Sequence, residues 1–182
     1  GKLLGTITVG NGITLNANAY NLKANNINLS NATSTITITS GTIVGSVDGV
    51  GLSSSTGVIN LNGTTTINSG NYLGSSNGLL AINVGNSGSV TINESIKAAT
   101  VTVGGGSGGS LSFGAGKTID ATVTKIRSGG VLTLNSGSIY NGTIEGYNAG
   151  EGRLNISGGT VTASSAIGYG ASLSQIAISN GA

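Results

Sequence analysis

One short word recurs along this chain at a nearly fixed interval. An apolar residue, a small polar one and a second apolar one occur at Ile13-Thr14-Leu15, Ile36-Thr37-Ile38, Ile59-Asn60-Leu61 and Ile82-Asn83-Val84, each start 23 residues after the last. The word returns at Leu111-Ser112-Phe113, Leu132-Thr133-Leu134, Leu154-Asn155-Ile156 and Ile176-Ala177-Ile178, with steps of 29, 21, 22 and 22. A period of this length marks a solenoid, because one unit cannot bury its own apolar face and must stack on its neighbours.

Each period carries two further apolar positions. The second falls seven or eight residues after the first (Tyr20, Ile43, Ile67, Val90, Ile119, Ile139, Val161), and the third 12 to 14 residues after it (Ile27, Val50, Leu73, Ile96, Val123, Ile144, Ile167). Alternation with period two and enrichment in Ile, Val and Thr select strand over helix. Corner words such as "SGT", "NGT", "NSGS" and "SGGT" place Gly and Asn where a tight turn needs positive φ. The expected fold is therefore all-β: a parallel, right-handed β-helix of about eight three-faced coils. At ~4.8 Å per coil it forms a rod on the order of 40 Å long. Residues 1–182 read as one solenoid domain, a fragment of a longer chain, with the long step explained by a glycine-rich insertion at Gly104 to Gly109.

The middle residue of the word points away from the core. Stacking the coils on the word predicts an outward ladder of Thr14, Thr37, Asn60, Asn83, Ser112, Thr133 and Asn155, ending at Ala177. Small polar side chains suit such a column because like neighbours hydrogen-bond along it, whereas stacked Lys or Glu would repel. This accounts for a charged fraction of only 7%.

The composition excludes much chemistry. There is no histidine and no cysteine, so the common general-base arrangements and any disulfide framework are absent. Gly105-Gly106-Ser107-Gly108-Gly109 matches a nucleophile elbow by letter, and Gly104 to Gly109 a phosphate-binding loop, but neither has the helix its chemistry requires. Asp48 and Glu94 read as sharing a corner column two coils apart, ~10 Å by the strand spacing, which is marginal for a glycosidase pair. Two aspartates cannot supply a calcium-binding solenoid. Thr35, Thr37 and Thr39 suggest an ice-binding array, but the aligned residues Val58, Asn60, Asn62, then Ala81, Asn83, Gly85 do not continue it.

Seven basic residues are scattered, with only Lys125 and Arg127 close together, and no basic stripe for nucleic acid is visible. No apolar run is long enough to span a bilayer. Tyr72, Tyr140, Tyr147 and Tyr169 are the residues best suited to present contact area, although the spacing of Tyr147 and Tyr169 favours a stacked pair in the core. No catalytic residue, metal ligand or cofactor site is expected.

The words "GRLNISGGTVTASSAIGYGA", "VLTLNSGSIYNGTIEG" and "VINLNGTTTINSGNYLG" resemble the β-helical passengers of bacterial autotransporters and the related two-partner-secreted, haemagglutinin-type adhesins. The resemblance spans nearly the whole chain. It implies a rod exported to the bacterial surface or the extracellular space, attaching to molecules of a host cell or another bacterium; the lack of a catalytic constellation makes the expected role non-enzymatic. The alternative is a structural subunit that polymerises head to tail through open solenoid ends into an extracellular filament.

Overall fold

The computed structural model describes residues 3–50, 55–68, 72–75 and 77–179. Among them the chain forms strands and no helix. One sheet stacks β1 (Leu4–Val9), β3 (Leu22–Leu29), β5 (Gly41–Gly49), β7 (Thr64–Ile67), β9 (Ser89–Ile92), β11 (Ser110–Phe113), β13 (Val131–Asn135), β15 (Glu151–Ser157) and β17 (Leu173–Ser179). The other stacks β2 (Thr14–Asn18), β4 (Thr35–Ile38), β6 (Val58–Leu61), β8 (Leu79–Val84), β10 (Ile96–Val103), β12 (Thr118–Ile126), β14 (Ile139–Gly146) and β16 (Thr162–Ala163). Each strand pairs in parallel with the strand two further along the chain. The protein is a parallel β-solenoid of about eight turns, as the repeat predicts.

Two sheets replace the three faces expected, yet each coil still carries a third inward position at the corner between them. Ile82 and Val84 come from one sheet, Val90 and Ile92 from the other, and Ile96 from the corner, all buried. The next coil repeats the set with Val101, Val103, Leu111, Phe113 and Ile119, and the one after with Thr124, Ile126, Leu132, Leu134 and Tyr140. The corner column runs Ile27, Val47, Leu73, Ile96, Ile119, Tyr140. A fully buried aliphatic side chain contributes roughly 1.5–3 kcal/mol, so the stacked columns are the main source of stability in a chain with no disulfide.

The long strands turn the corner without breaking. In β3 and β5 the corner position follows the residues of the nine-stranded sheet, whereas in β10, β12 and β14 it precedes those of the eight-stranded sheet on one continuous strand. The corner column itself is continuous, so the 29-residue step has a separate origin. The residue triplet stacked on Ile82-Asn83-Val84 is Val101-Thr102-Val103, while Leu111-Ser112-Phe113 stacks on Val90-Thr91-Ile92 in the opposite sheet. The repeated word thus changes sheets. Gly104 to Gly109 is the connection from β10 to β11, against the four-residue connections 85–88 and 127–130 on either side.

Of the corner glycines, Gly41, Gly137, Gly158 and Gly159 take positive φ, and Gly63 and Gly88 do not. Ile43, Ile67, Val90, Ile119, Ile27, Leu73, Ile96 and Ile144 are buried as their spacing predicts, whereas Tyr20, Ile139, Val50 and Ile167 are exposed.

Candidate functional site: a polar groove on an outer sheet face

The predicted ladder is divided between the two sheets. Thr37, Asn60 and Asn83 are in register, and the column continues through Thr102, Lys125 and Glu145 rather than Ser112. Asn16, not Thr14, pairs with Thr37, and Thr14 pairs with Thr35. Ser112, Thr133 and Asn155 are in register on the other sheet, preceded by Thr42, Thr66 and Thr91 and followed by Ala177. A hydrogen bond along the first column is present where like meets like: the Asn83 Nδ2 donates to Asn60 Oδ1 at 3.0 Å.

Beside that first column runs a second, formed by the residue that follows each strand's last inward position. Its members are Asn62, Gly85, Gly104, Arg127 and Tyr147, each backbone N–H donating to the carbonyl of the coil before at 2.8–2.9 Å. Two consecutive glycines interrupt the side chains of this column. They leave a groove of about 440 Å³ lined by Asn62, Asn83, Val84, Gly85, Thr102, Gly104, Gly105 and Arg127. Its walls are amides and a hydroxyl, and its floor is largely backbone.

Arg127 closes one end. Its guanidinium lies 3.6 Å from the centre of the Tyr147 ring, and the Lys125 ammonium lies 5.8 Å from the same ring. Tyr147 reaches this place because Gly146 takes the inward position above Ile126 and the next residue of the strand must point outward. The stacked guanidinium keeps its N–H edge free for a planar anion. Lys125 is instead engaged by Glu145, 3.6 Å away. That pair is part-exposed, so we expect a double-mutant cycle of Lys125→Ala and Glu145→Ala in urea denaturation to return a coupling of ~0.2–1 kcal/mol that shrinks with added salt. A coupling above this range would mean the pair is shielded from solvent.

The tyrosines are corrected in both directions. Tyr140, read as contact area, is fully buried, while Tyr147 and Tyr169 are both exposed and do not stack in the core. Asp48 and Glu94 do not share a column: the register Val47, Leu73, Ile96 places Lys97 two coils above Asp48, and Glu94 lies buried two residues before Ile96. Asp48 Oδ2 accepts a hydrogen bond from Ser75. Among the described residues no group of three or more His, Cys, Asp or Glu side chains could hold a metal ion, and no helix is long and apolar enough to cross a membrane.

The groove itself lay outside the sequence expectation. Its signal was the close pair Lys125 and Arg127, which acquires meaning only once Tyr147 is known to stand one coil above Arg127. Comparison with family models, with curated proteins and with solved structures finds no match to this chain.

Proposed function

We propose that this chain is a non-enzymatic, extracellular β-solenoid of a bacterial surface, serving as a stalk whose outer faces make adhesive contacts in cell-to-cell or cell-to-host attachment. The observation that carries this reading is the outer surface itself. Asn, Ser and Thr columns run along both sheets, uncharged from Asn16 to Thr102 on one and from Thr42 to Asn155 on the other, and the groove with its cation and ring lies beside the first. Such a surface offers many weak, directional hydrogen bonds at fixed spacing, and repetition along a rod turns weak contacts into avidity. A resemblance to autotransporter passengers and haemagglutinin-type adhesins points the same way.

The test is retention of cells on the immobilised chain. Beads carrying it are expected to hold bacterial or host cells above beads carrying a variant in which Thr37, Asn60, Thr66, Thr91 and Thr133 are replaced by Ala, which removes the outward hydrogen-bonding groups without adding charge. Equal retention overturns the adhesive reading. Release of new reducing ends from any of a panel of polysaccharides overturns the non-enzymatic one.

The alternative is a filament joined through the end coils. At β17 the inward Ile176 and Ile178 are exposed, as is Leu4 at β1, and a further coil in register, from the same chain or from another copy, would cover them. Electron microscopy of surface material separates the two. Discrete rods favour the stalk, and continuous fibres with an axial repeat of about eight coils favour polymerisation.

A further inference from the structure

We propose that the groove between Asn62 and Arg127 binds an acidic saccharide, with the sugar carboxylate on the Arg127 guanidinium and ring hydroxyls on Asn62, Asn83 and Thr102. This deepens the adhesive reading and rests on it only for where such saccharides are met; binding by the purified chain is decided separately from binding of cells.

Four features of the groove select this ligand class. Its volume of about 440 Å³ falls within the ~300–1,000 Å³ of small-molecule sites. Its polar groups are two amides and a hydroxyl, each able both to donate and to accept, which is the inventory that polyhydroxylated rings require. One end carries a guanidinium held flat on a tyrosine ring at 3.6 Å, and Arg127 has no carboxylate within ion-pair distance among the described residues. A guanidinium so placed offers a rigid fork for bidentate carboxylate binding.

The geometry also sets the ligand's direction. Asn62 and Arg127 belong to one column with Gly85 and Gly104 between them, three coil spacings or ~14 Å end to end. A ligand contacting both must lie along the solenoid axis, so a short run of sugar units fits better than a single ring. A phosphate would call for more cationic or N–H donors than the lone Arg127, since the nearby Lys125 is paired with Glu145. An acidic peptide would satisfy Arg127 but leave the amide wall without its complement of hydroxyls.

The experiment is isothermal titration of the 182-residue chain at low salt with tetragalacturonate, with its methyl-esterified counterpart, with sialyllactose and with a glutamate-rich peptide. A saturable heat is expected with at least one acidic saccharide, weakened about 10- to 100-fold on esterification or removal of its carboxylate and by the same factor in Arg127→Gln, the change that charge-assisted hydrogen bonds support. Arg127→Lys should recover only part of it. Arg153→Gln, which removes the same charge from an exposed position on the other sheet, should leave binding unchanged. Should Arg127→Gln fold poorly by circular dichroism, Thr102→Leu, at an outward strand position, fills the groove and must abolish the heat. No binding of either acidic saccharide at millimolar concentration overturns the proposal, as does equal binding of the esterified saccharide, equal loss in Arg153→Gln, or Arg127-dependent binding of the peptide alone.

Discussion

Gly142→Ala should be among the most damaging single substitutions in this protein, costing about 4 kcal/mol or more through combined backbone strain and overpacking. Gly142 stands at the bend of β14 with φ of 118°, and a Cβ there would lie 1.6 Å from the Ala121 carbonyl oxygen. The register explains why. Ala121 and Thr122 of β12 together oppose the single residue Gly142, because pairing shifts between Asp120 and Val123. Such a two-against-one bulge bends the strand and carries it around the corner of the coil. The Ala121 carbonyl, on the longer path, then occupies the space where a side chain of Gly142 would begin.

The same device occurs in the first half of the chain. Ala24 and Asn25 oppose Gly45, whose φ is 127° and whose Cβ would lie 1.8 Å from the Ala24 oxygen. Gly45→Ala should therefore match Gly142→Ala. Gly116 is the control: its φ is also positive, at 68°, but nothing lies within 4 Å of a Cβ there. Gly116→Ala should cost only the conformational term, ~1–2 kcal/mol. The measurement is urea denaturation of the three variants, with hydrogen exchange to locate the loss, since a solenoid can open coil by coil. Equal costs at Gly116 and Gly142 would show that φ alone, and not the carbonyl, sets the penalty.

This bend also marks where sequence reading reaches its limit. The existence of coils, their number and the inward character of most Ile and Leu positions follow from period and alternation, as Ile36, Ile59 and Ile82 show. The phase does not follow. Both sheets use the same apolar, polar, apolar word because both present one face to the core and one to solvent, so nothing in Leu111-Ser112-Phe113 says that it belongs opposite Val101-Thr102-Val103 rather than above it. Once the word had changed sheets, the ladder ran on through Ser112 while the true column passed to Thr102, Lys125 and Glu145. Tyr140 failed for a related reason: a one-residue change of phase exposes Ile139 and buries Tyr140.

Tyr140 supplies the second large effect, because it is a phenol inside an aliphatic column. In the coil of Thr124, Ile126, Leu132 and Leu134, its hydroxyl donates to Thr124 Oγ1, which is also buried. Truncation by Tyr140→Ala should cost ~3–5 kcal/mol by opening a cavity and stranding the Thr124 hydroxyl. Tyr140→Phe keeps the ring and removes only the partner, so ~1–3 kcal/mol is expected. Pairing Tyr140→Phe with Thr124→Val replaces both polar groups at little change in shape and should recover most of that loss. Failure of the double variant to recover would mean that the hydrogen bond is incidental to the packing.

The same phenol predicts a dependence on alkaline pH. Burial pushes the Tyr140 hydroxyl well above its ordinary value of 10.0, and the Thr124 hydrogen bond only partly offsets this. In the unfolded chain the phenol loses its proton near pH ~10, whereas in the fold it stays neutral. Above that pH the folded state binds more protons than the unfolded one, so stability must fall as pH rises, by up to about 1.4 kcal/mol per pH unit from this group. Below pH ~10 both states hold the proton and the contribution is constant. Denaturation midpoints of the wild-type chain and Tyr140→Phe should accordingly converge as pH is raised from 9 to 11, since the variant lacks the titrating group. Parallel curves would show that Tyr140 ionises as readily in the fold as outside it, and that its place in the column is open to water.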